Sequence, residues 1–252
     1  MVQTLKAEFR KLLTVRSTYV ITILVVILIS FIAFYVEGWR LNPAALHQSN
    51  QFSSDVTGAL NLTIFGAIVA ILLMTHEYRY NTIMYTLTSS NSRTKVLVSK
   101  FITVSIYAVF LAILIGVLSP TMTYLGIHLH GHVLVPQTMH YWNLIWRSLF
   151  YSWGYAMAGL LLALWTRSQV ASIVALFLIP TLADELLGLL LKHNTVYLPF
   201  NALNQIIDGS GRGGGSTSSN LSASKAAGVY AIYVVVGWII AWILFLRRDA
   251  TT

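Results

Sequence analysis

Five stretches of this 252-residue chain run without a charged side chain, at 18–36, 58–75, 101–119, 148–166 and 226–246, and a sixth at 168–191 is interrupted only by Asp184 and Glu185. A helix rises about 1.5 Å per residue and the hydrocarbon core of a bilayer is about 30 Å thick, so roughly 20 apolar residues cross it. Each run meets that length. Hydrocarbon offers no water to bond backbone N–H and C=O groups, so the runs must satisfy them internally as helices. The expected fold is all-α and polytopic: six transmembrane helices, at about 18–36, 58–76, 98–120, 144–166, 168–191 and 226–246, in a single transmembrane domain spanning 1–252.

Composition excludes the main alternatives. Charged residues make up 10% of the chain, against about 25% in a soluble domain. The longest stretch between expected helices, 192–225, has 34 residues, whereas an independent domain needs roughly 100–150. A soluble catalytic domain has no space. The chain contains no Gly-Lys dipeptide and so lacks the phosphate-cradling loop that ends in Gly-Lys-Ser/Thr. It is not expected to be an enzyme, and any nucleotide must be handled by another chain. There is no cysteine, which removes disulfides and thiolate chemistry.

The net charge of +8 reads as membrane orientation and not as nucleic-acid binding. With the N-terminus inside, eleven basic residues fall on the inner side: Lys6, Arg10, Lys11, Arg16, Arg79, Arg93, Lys95, Lys100, Arg167, Arg247 and Arg248. Four fall outside, Arg40, Lys192, Arg212 and Lys225, with Arg147 near the outer end of the fourth helix. This imbalance puts both termini in the cytoplasm and the chain in the cell (cytoplasmic or inner) membrane. The first run is followed by the bulky Tyr35-Val36-Glu37-Gly38-Trp39 and reads as a retained helix, not a cleaved signal. Tyr141, Trp142, Trp146, Tyr151 and Trp153 cluster where the fourth helix would enter from the outer interface.

Before the first run, Val2, Leu5, Phe9, Leu12 and Leu13 recur on one helical stripe with Lys6, Arg10 and Lys11 elsewhere on the wheel. Residues 1–17 are expected to form an amphipathic interfacial helix; a solvated extension of the first transmembrane helix is the other reading. Outside, 37–57 and 120–143 are expected as loops. In 209–220, nine of twelve residues are Gly or Ser, the composition of a flexible linker.

The inner loop after the second helix reads HEYRYNTIMYTLTSSNSRTKVLVSK over 76–100. Ile83, Met84 and Leu87 fit one helical turn, so a short surface helix and an ordinary loop both remain open. This segment resembles the signature loop of type-2 exporter permeases of the ATP-binding cassette (ABC) superfamily. EFRKLLTVRS (8–17) is similar to that family's N-terminal amphipathic helix, and LFLRRDA (244–250) to its C-terminal Arg-Arg-Asp tail. The resemblance covers the whole chain. Two positions depart from it, Asn81 where the family often has Gly, and the turn 89–92 where many members have Pro.

The resemblance implies a permease subunit of an ATP-driven exporter that pairs with a second permease copy, as a homodimer or with a paralogue, and sits on two cytoplasmic ABC ATPase subunits. ATP and Mg would belong to the ATPase, with no cofactor on this chain. The loop 77–97 would couple to the ATPase through Glu77, Arg79, Thr82 and Arg93, with Lys100 anchoring the third helix. The exported substrate would be an amphiphile: drug, antibiotic, peptide or lipid. The competing readings are an ATPase-independent secondary transporter or channel, which normally carries polar groups in several helix centres or paired broken helices, and a heme-binding anchor, which needs two histidines at matched depth.

Asp184 and Glu185 follow Pro180, which can break the fifth helix; they read either as carboxylates at a solvated outer helix end or as a polar lining of the exit path. His128, His130 and His132 would share one face of an extended segment and could ligate Zn or Cu, or form a solvated loop; no metal site is assigned. Asn61, Thr63 and Ser105 are expected to make interhelical hydrogen bonds, and Arg147 to snorkel outward.

Overall fold

The computed structural model describes residues 2–40, 58–80, 82–90, 92–131, 141–208 and 221–247, of which 94% are helical. Asn81, His132, His140, the 209–220 stretch and the 248–252 tail lie outside the described residues, as does most of the first outer loop.

The N-terminal helix α1 (Val2–Thr14) stops at Val15, whose extended backbone (φ −76°, ψ 119°) separates it from α2 (Arg16–Phe31). The two are distinct helices and not one extended rod. After α2 the backbone widens into a π-helical stretch, Ile32–Trp39. A 3-10 turn (Ala59–Thr63) leads into α3 (Ile64–Arg79), followed by the short α4 (Ile83–Ser90) and the long α5 (Arg93–Leu129). Then come α6 (Tyr141–Thr166) and α7 (Gln169–Leu178), a π-helical turn (Ile179–Ala183), α8 (Asp184–Leu191), a 3-10 segment (Lys192–Tyr197), α9 (Pro199–Asp208) and α10 (Ala223–Arg247).

Among the described residues, six helices are long and apolar enough to cross a membrane: Arg16–Trp39, Asn61–Arg79, Arg93–Leu129, Ile145–Thr166, Gln169–Leu190 and Ala223–Arg247. The second and fourth form the core, with 61% and 67% of their residues buried, against 17% of the first and 12% of the fifth. Two of the most extensive packings are α3 on α6 and the π-helical stretch on α5. Both depend on glycine at the crossing. A Cβ on Gly159 would lie 2.4 Å from the carbonyl oxygen of Ala67, and one on Gly126 would lie 2.3 Å from that of Phe34.

Three differences from the sequence expectation have physical causes. The third helix reaches Leu129, so most of the expected 120–143 loop that is described is helix. Pro120 removes one backbone donor without ending the helix, and Thr123, Gly126 and Ile127 continue its buried stripe against α2's π-helical end. Pro180 likewise widens the fifth span into a π turn and does not end it. Within the expected 192–225 loop, α9 starts at Pro199, a residue preorganised for a first helical turn, and buries Phe200, Ala202, Leu203, Ile206 and Ile207.

Gly159→Val should destabilise the protein by about 1–3 kcal/mol or more through overpacking against Ala67, read as a fall in the detergent-solubilised melting temperature. Gly228→Val, whose Cβ would meet nothing within 4 Å, should stay within about 0.5 kcal/mol of the parent.

Candidate functional site

The charged side chains at one end of the bundle form a closed ring. Glu8 of α1 accepts from Lys11 through Oε1 (2.7 Å) and from Lys100 of α5 through Oε2 (2.9 Å). Glu77 of α3 accepts through Oε1 from both lysines, at 2.5 Å from Lys11 and 2.7 Å from Lys100. Two cations alternate with two anions, and the formal charge cancels. Lys100 is 1% exposed, Glu8 0% and Glu77 4%. Isolated charges would be too costly at such burial, so each must be paired. Lys100 also reaches the carbonyl of Leu73 (3.4 Å), and Lys11, the partly exposed member, reaches the hydroxyl of Thr86 on α4 (3.4 Å).

The local sequence explains the ring. Glu8 and Lys11 are three residues apart on one helix and share a face, and Leu12 beside them is buried, so this face of α1 packs against α5. Glu77 lies in the last turn of α3, and Lys100 lies two turns into α5 on the stripe Val96, Ser99, Lys100, Thr103 and Val104, all buried.

Other residues expected to face the ATPase also bind this chain's own helices. Arg79 approaches Gln169 at the start of α7 (3.4 Å), with its guanidinium 5.7 Å from the Tyr80 ring centre. Arg93 donates to the carbonyls of Phe245 and Leu246 (3.2 Å each), at the end of α10 where a helix carries partial negative charge. Arg167, in left-handed backbone at φ 53°, places its guanidinium 5.3 Å from the Tyr78 ring centre. The segment between α3 and α5 is thus tied to α1, α7 and α10. Thr82 is exposed on the chain turning into α4.

The short helix resolves the open choice for 83–90: it is helical, with Ile83 buried (3%) and Met84 and Tyr85 outward. Tyr80, Met84 and Tyr85 are 63%, 45% and 79% exposed. Beside them lies a groove of about 460 Å³ between this segment and the α1–α2 junction, lined by Val15, Thr18, His76, Glu77, Tyr80 and Tyr85 among others.

The opposite end is held by neutral and backbone contacts. Asp184, 3% exposed, accepts from the backbone N–H groups of Phe200 and Asn201 at 3.1 Å each. It caps the first turn of α9 from another helix, where anionic charge is favoured. Asp184 is therefore buried and not at a solvated helix end; the side chain of Glu185 lies outside what is described. Gln205 of α9, fully buried, donates to the carbonyl of Val196 (3.2 Å) and accepts from the N–H of Leu221 (3.0 Å), and the Tyr151 hydroxyl donates to Asn204 (3.1 Å).

His128 and His130 do not form an extended face. His128 lies in the last turn of α5 beside Tyr124, and His130 caps that helix against Trp39, with ring centres 4.8 Å apart. Among the described residues no three His, Cys, Asp or Glu side chains gather as a metal site. Ser105 accepts from Trp153 Nε1 (3.1 Å) and Asn61 from Tyr151 (3.4 Å), both between helices. Thr63 does not: its hydroxyl is buried without a hydrogen-bond partner among the described residues. Arg147 is half-buried, its guanidinium 5.8 Å from the Trp146 ring centre.

Glu8 is the site residue that sequence reasoning missed. The available signal was its position between Leu5, Phe9 and Leu12 on the apolar side of α1, an unusual place for a lone carboxylate.

Six apolar helices, with the segment between α3 and α5 held by ion pairs against one end of the bundle, define a polytopic membrane protein. Residues 4–183 match the family described as ABC-2 family transporter protein, and the chain belongs to that family. It is a membrane-embedded permease component of an ABC transporter, a transport subunit of a kind that is generally non-catalytic and associates with ABC ATPases. No curated protein matches it.

Removing one member of a buried ionic group leaves the others uncompensated. Lys100→Met should cost about 3–5 kcal/mol, and Glu8→Gln combined with it should cost less than the sum of the two single changes, with a coupling of about 0.5–3 kcal/mol. Melting temperatures of the three variants measure this; additive losses would show that the ring does not act as a unit.

Proposed function

We propose that this chain is the transmembrane half of an ATP-driven exporter, with the ring end facing the cytoplasm and α4 docking on an ABC ATPase. The observation that carries the reading is the geometry of the 80–85 segment. Tyr80, Met84 and Tyr85 project outward from a segment that is held on the buried ion ring and on three other helices. Exposed tyrosine and methionine on a rigid support suit a protein interface, where such residues are enriched. Arg79, Arg93, Glu77 and Lys100 serve the coupling by fixing that support, while Thr82 lies on the exposed side with the docking residues.

Two ATPases engage two permease copies, the second being identical or a paralogue. The close approach of Gly159 to Ala67 supports a pathway between copies, because it leaves no channel between the two core helices. The weakly buried first and fifth spans remain available to lipid and to the second copy. ATP-driven closure of the ATPases would tilt the helices through the 76–100 segment and release an amphiphile on the far side. Its apolar surroundings suit a drug, antibiotic, peptide or lipid.

The orientation is tested by labelling, since the chain has no cysteine. Ser90→Cys should react with an impermeant maleimide only from the cytoplasmic side and Ser210→Cys only from outside; the reverse pattern would overturn the assignment. For docking, a tagged wild-type chain should retain its ATPase through purification, and Met84→Ala with Tyr85→Ala should reduce the retained ATPase about tenfold or more, as loss of two interface anchors worth roughly 1–2 kcal/mol each would. Full retention by the double variant would show that α4 is not the docking element.

A further inference from the structure

The ion ring makes the N-terminal helix part of the same body as the docking segment. Glu8 is the only described member of α1 with a carboxylate, it is fully buried, and both its oxygens are used, one on Lys100 of α5 and one on Lys11 of its own helix. Lys11 in turn bonds Glu77 at the end of α3 and reaches Thr86 on α4. Four separate helices, α1, α3, α4 and α5, therefore meet within two hydrogen bonds of one carboxylate. By contrast α1 is divided from α2 by the extended Val15. The chain connection to the first membrane span is a single non-helical residue, while the connection to the docking segment is a closed ring of four ions.

The stiffness of these two connections differs in kind. One extended residue, bridged by the Tyr19 hydroxyl donating to the carbonyl of Leu13, is a hinge that two backbone torsions can turn once that single hydrogen bond yields. Separating buried charges requires leaving each uncompensated in a poorly polarisable surrounding, so the ring resists opening. The outer surface of α1 carries Val2 (80% exposed) and Leu13 (57% exposed), with Lys6 and Arg10 also exposed, a surface suited to the boundary between acyl chains and anionic headgroups.

We propose that α1 moves as one rigid body with the 76–100 segment, swinging about Val15, so that each displacement of the docking segment shifts the depth or tilt of α1 at the lipid surface. Glu8 is the positioning residue of this linkage. The inference rests on the docking reading above, since it supposes that nucleotide binding to the partner displaces that segment. The groove between the docking segment and the α1–α2 junction gives the opposing possibility a definite form: α4 could close toward the junction while α1 stays still.

The test uses the full permease with its ATPase in phospholipid nanodiscs containing anionic lipid. A polarity-sensitive fluorophore is attached at Leu13→Cys in one sample and in another at Ser90→Cys, at the end of α4 and outside the docking residues Tyr80, Met84 and Tyr85, each compared without nucleotide and after trapping with ATP and vanadate. Emission is expected to shift at both positions. In Glu8→Gln, which keeps the side-chain shape and leaves Lys11 on Glu77, the Leu13 shift should be clearly reduced while the Ser90 shift persists, the latter showing that the variant is folded and engages the ATPase. Glu8→Asp, which keeps the charge, should retain more of the Leu13 shift than Glu8→Gln. A Ser90 shift with a silent Leu13 probe in the parent, or a Leu13 shift undiminished in Glu8→Gln, would overturn the linkage while leaving the docking reading intact. Silence at both positions would overturn the docking reading and the linkage with it.

Discussion

Lys100 is buried to 1% exposure in a chain that has eight acidic residues in all, and two of those eight are committed to it. A lone ammonium at that burial would lose its hydration without compensation. The partners come from far along the chain: Glu77 is 23 residues away and Glu8 is 92. Satisfying one side chain therefore requires α1 to fold back on α5 and the end of α3 to lie beside both. Buried ion pairs add little net stability compared with apolar packing, but they penalise every arrangement in which a partner is missing. What the ring contributes is position. It fixes where the docking segment begins and ends, and the arginine contacts to α7 and α10 extend that order around this end of the bundle.

The two ends of the bundle use different means toward the same result. At the ring end, long cationic side chains bridge separate helices. At the far end, polar side chains bind mostly backbone: Asp184 caps α9 and Gln205 joins Val196 to Leu221, while the Tyr151 hydroxyl donates to the side chain of Asn204. Between the ends, contacts are mostly apolar, and the closest are set by glycine, at Gly159 against Ala67 and at Gly126 against the π-helical end of the first span. In hydrocarbon there is little hydrophobic drive to join helices, so close backbone approach and polar ties carry the association. The weakly buried fifth span adds few such ties, and the first makes its close approach at its π-helical end while presenting apolar residues outward along much of the rest.

The transmembrane helices were legible because uncharged length alone identifies them, whatever they later pack against. The 76–100 segment was legible as a site from its resemblance to a family loop, but the roles of its charges were not. A charged side chain near a helix end reads the same in sequence whether it faces a partner or a buried counter-ion; Glu77 and Lys100 turned inward because Glu8 and Lys11 were there to meet them. Glu8 itself was hidden for the complementary reason, since its partner lies 92 residues away. Pro180 was read as able to break the fifth helix, yet that span continues through it as a π turn, as α5 continues through Pro120, because flanking residues still find packing partners. The burial of Asp184 was not legible because its partners are backbone N–H groups, and backbone donors leave no mark in a sequence.

A loop that merely touched an ATPase would absorb a push by changing its own torsions. The segment here is bounded by Glu77 at one end and Lys100 at the other, and these two residues bond each other. The chain that leaves α3 and the chain that enters α5 are thus clamped at the base, and what lies between them projects as a supported unit. A force applied at Tyr80 or Tyr85 meets a base that opens only by separating buried charges, which is steeper than any loop torsion. Under the proposed coupling, the force must then pass on to whatever is attached to that base: α3 and α5 within the membrane, and α1 at its surface. Under the same proposal the receiving element is eight residues of helix, made stiff by four ions beneath it.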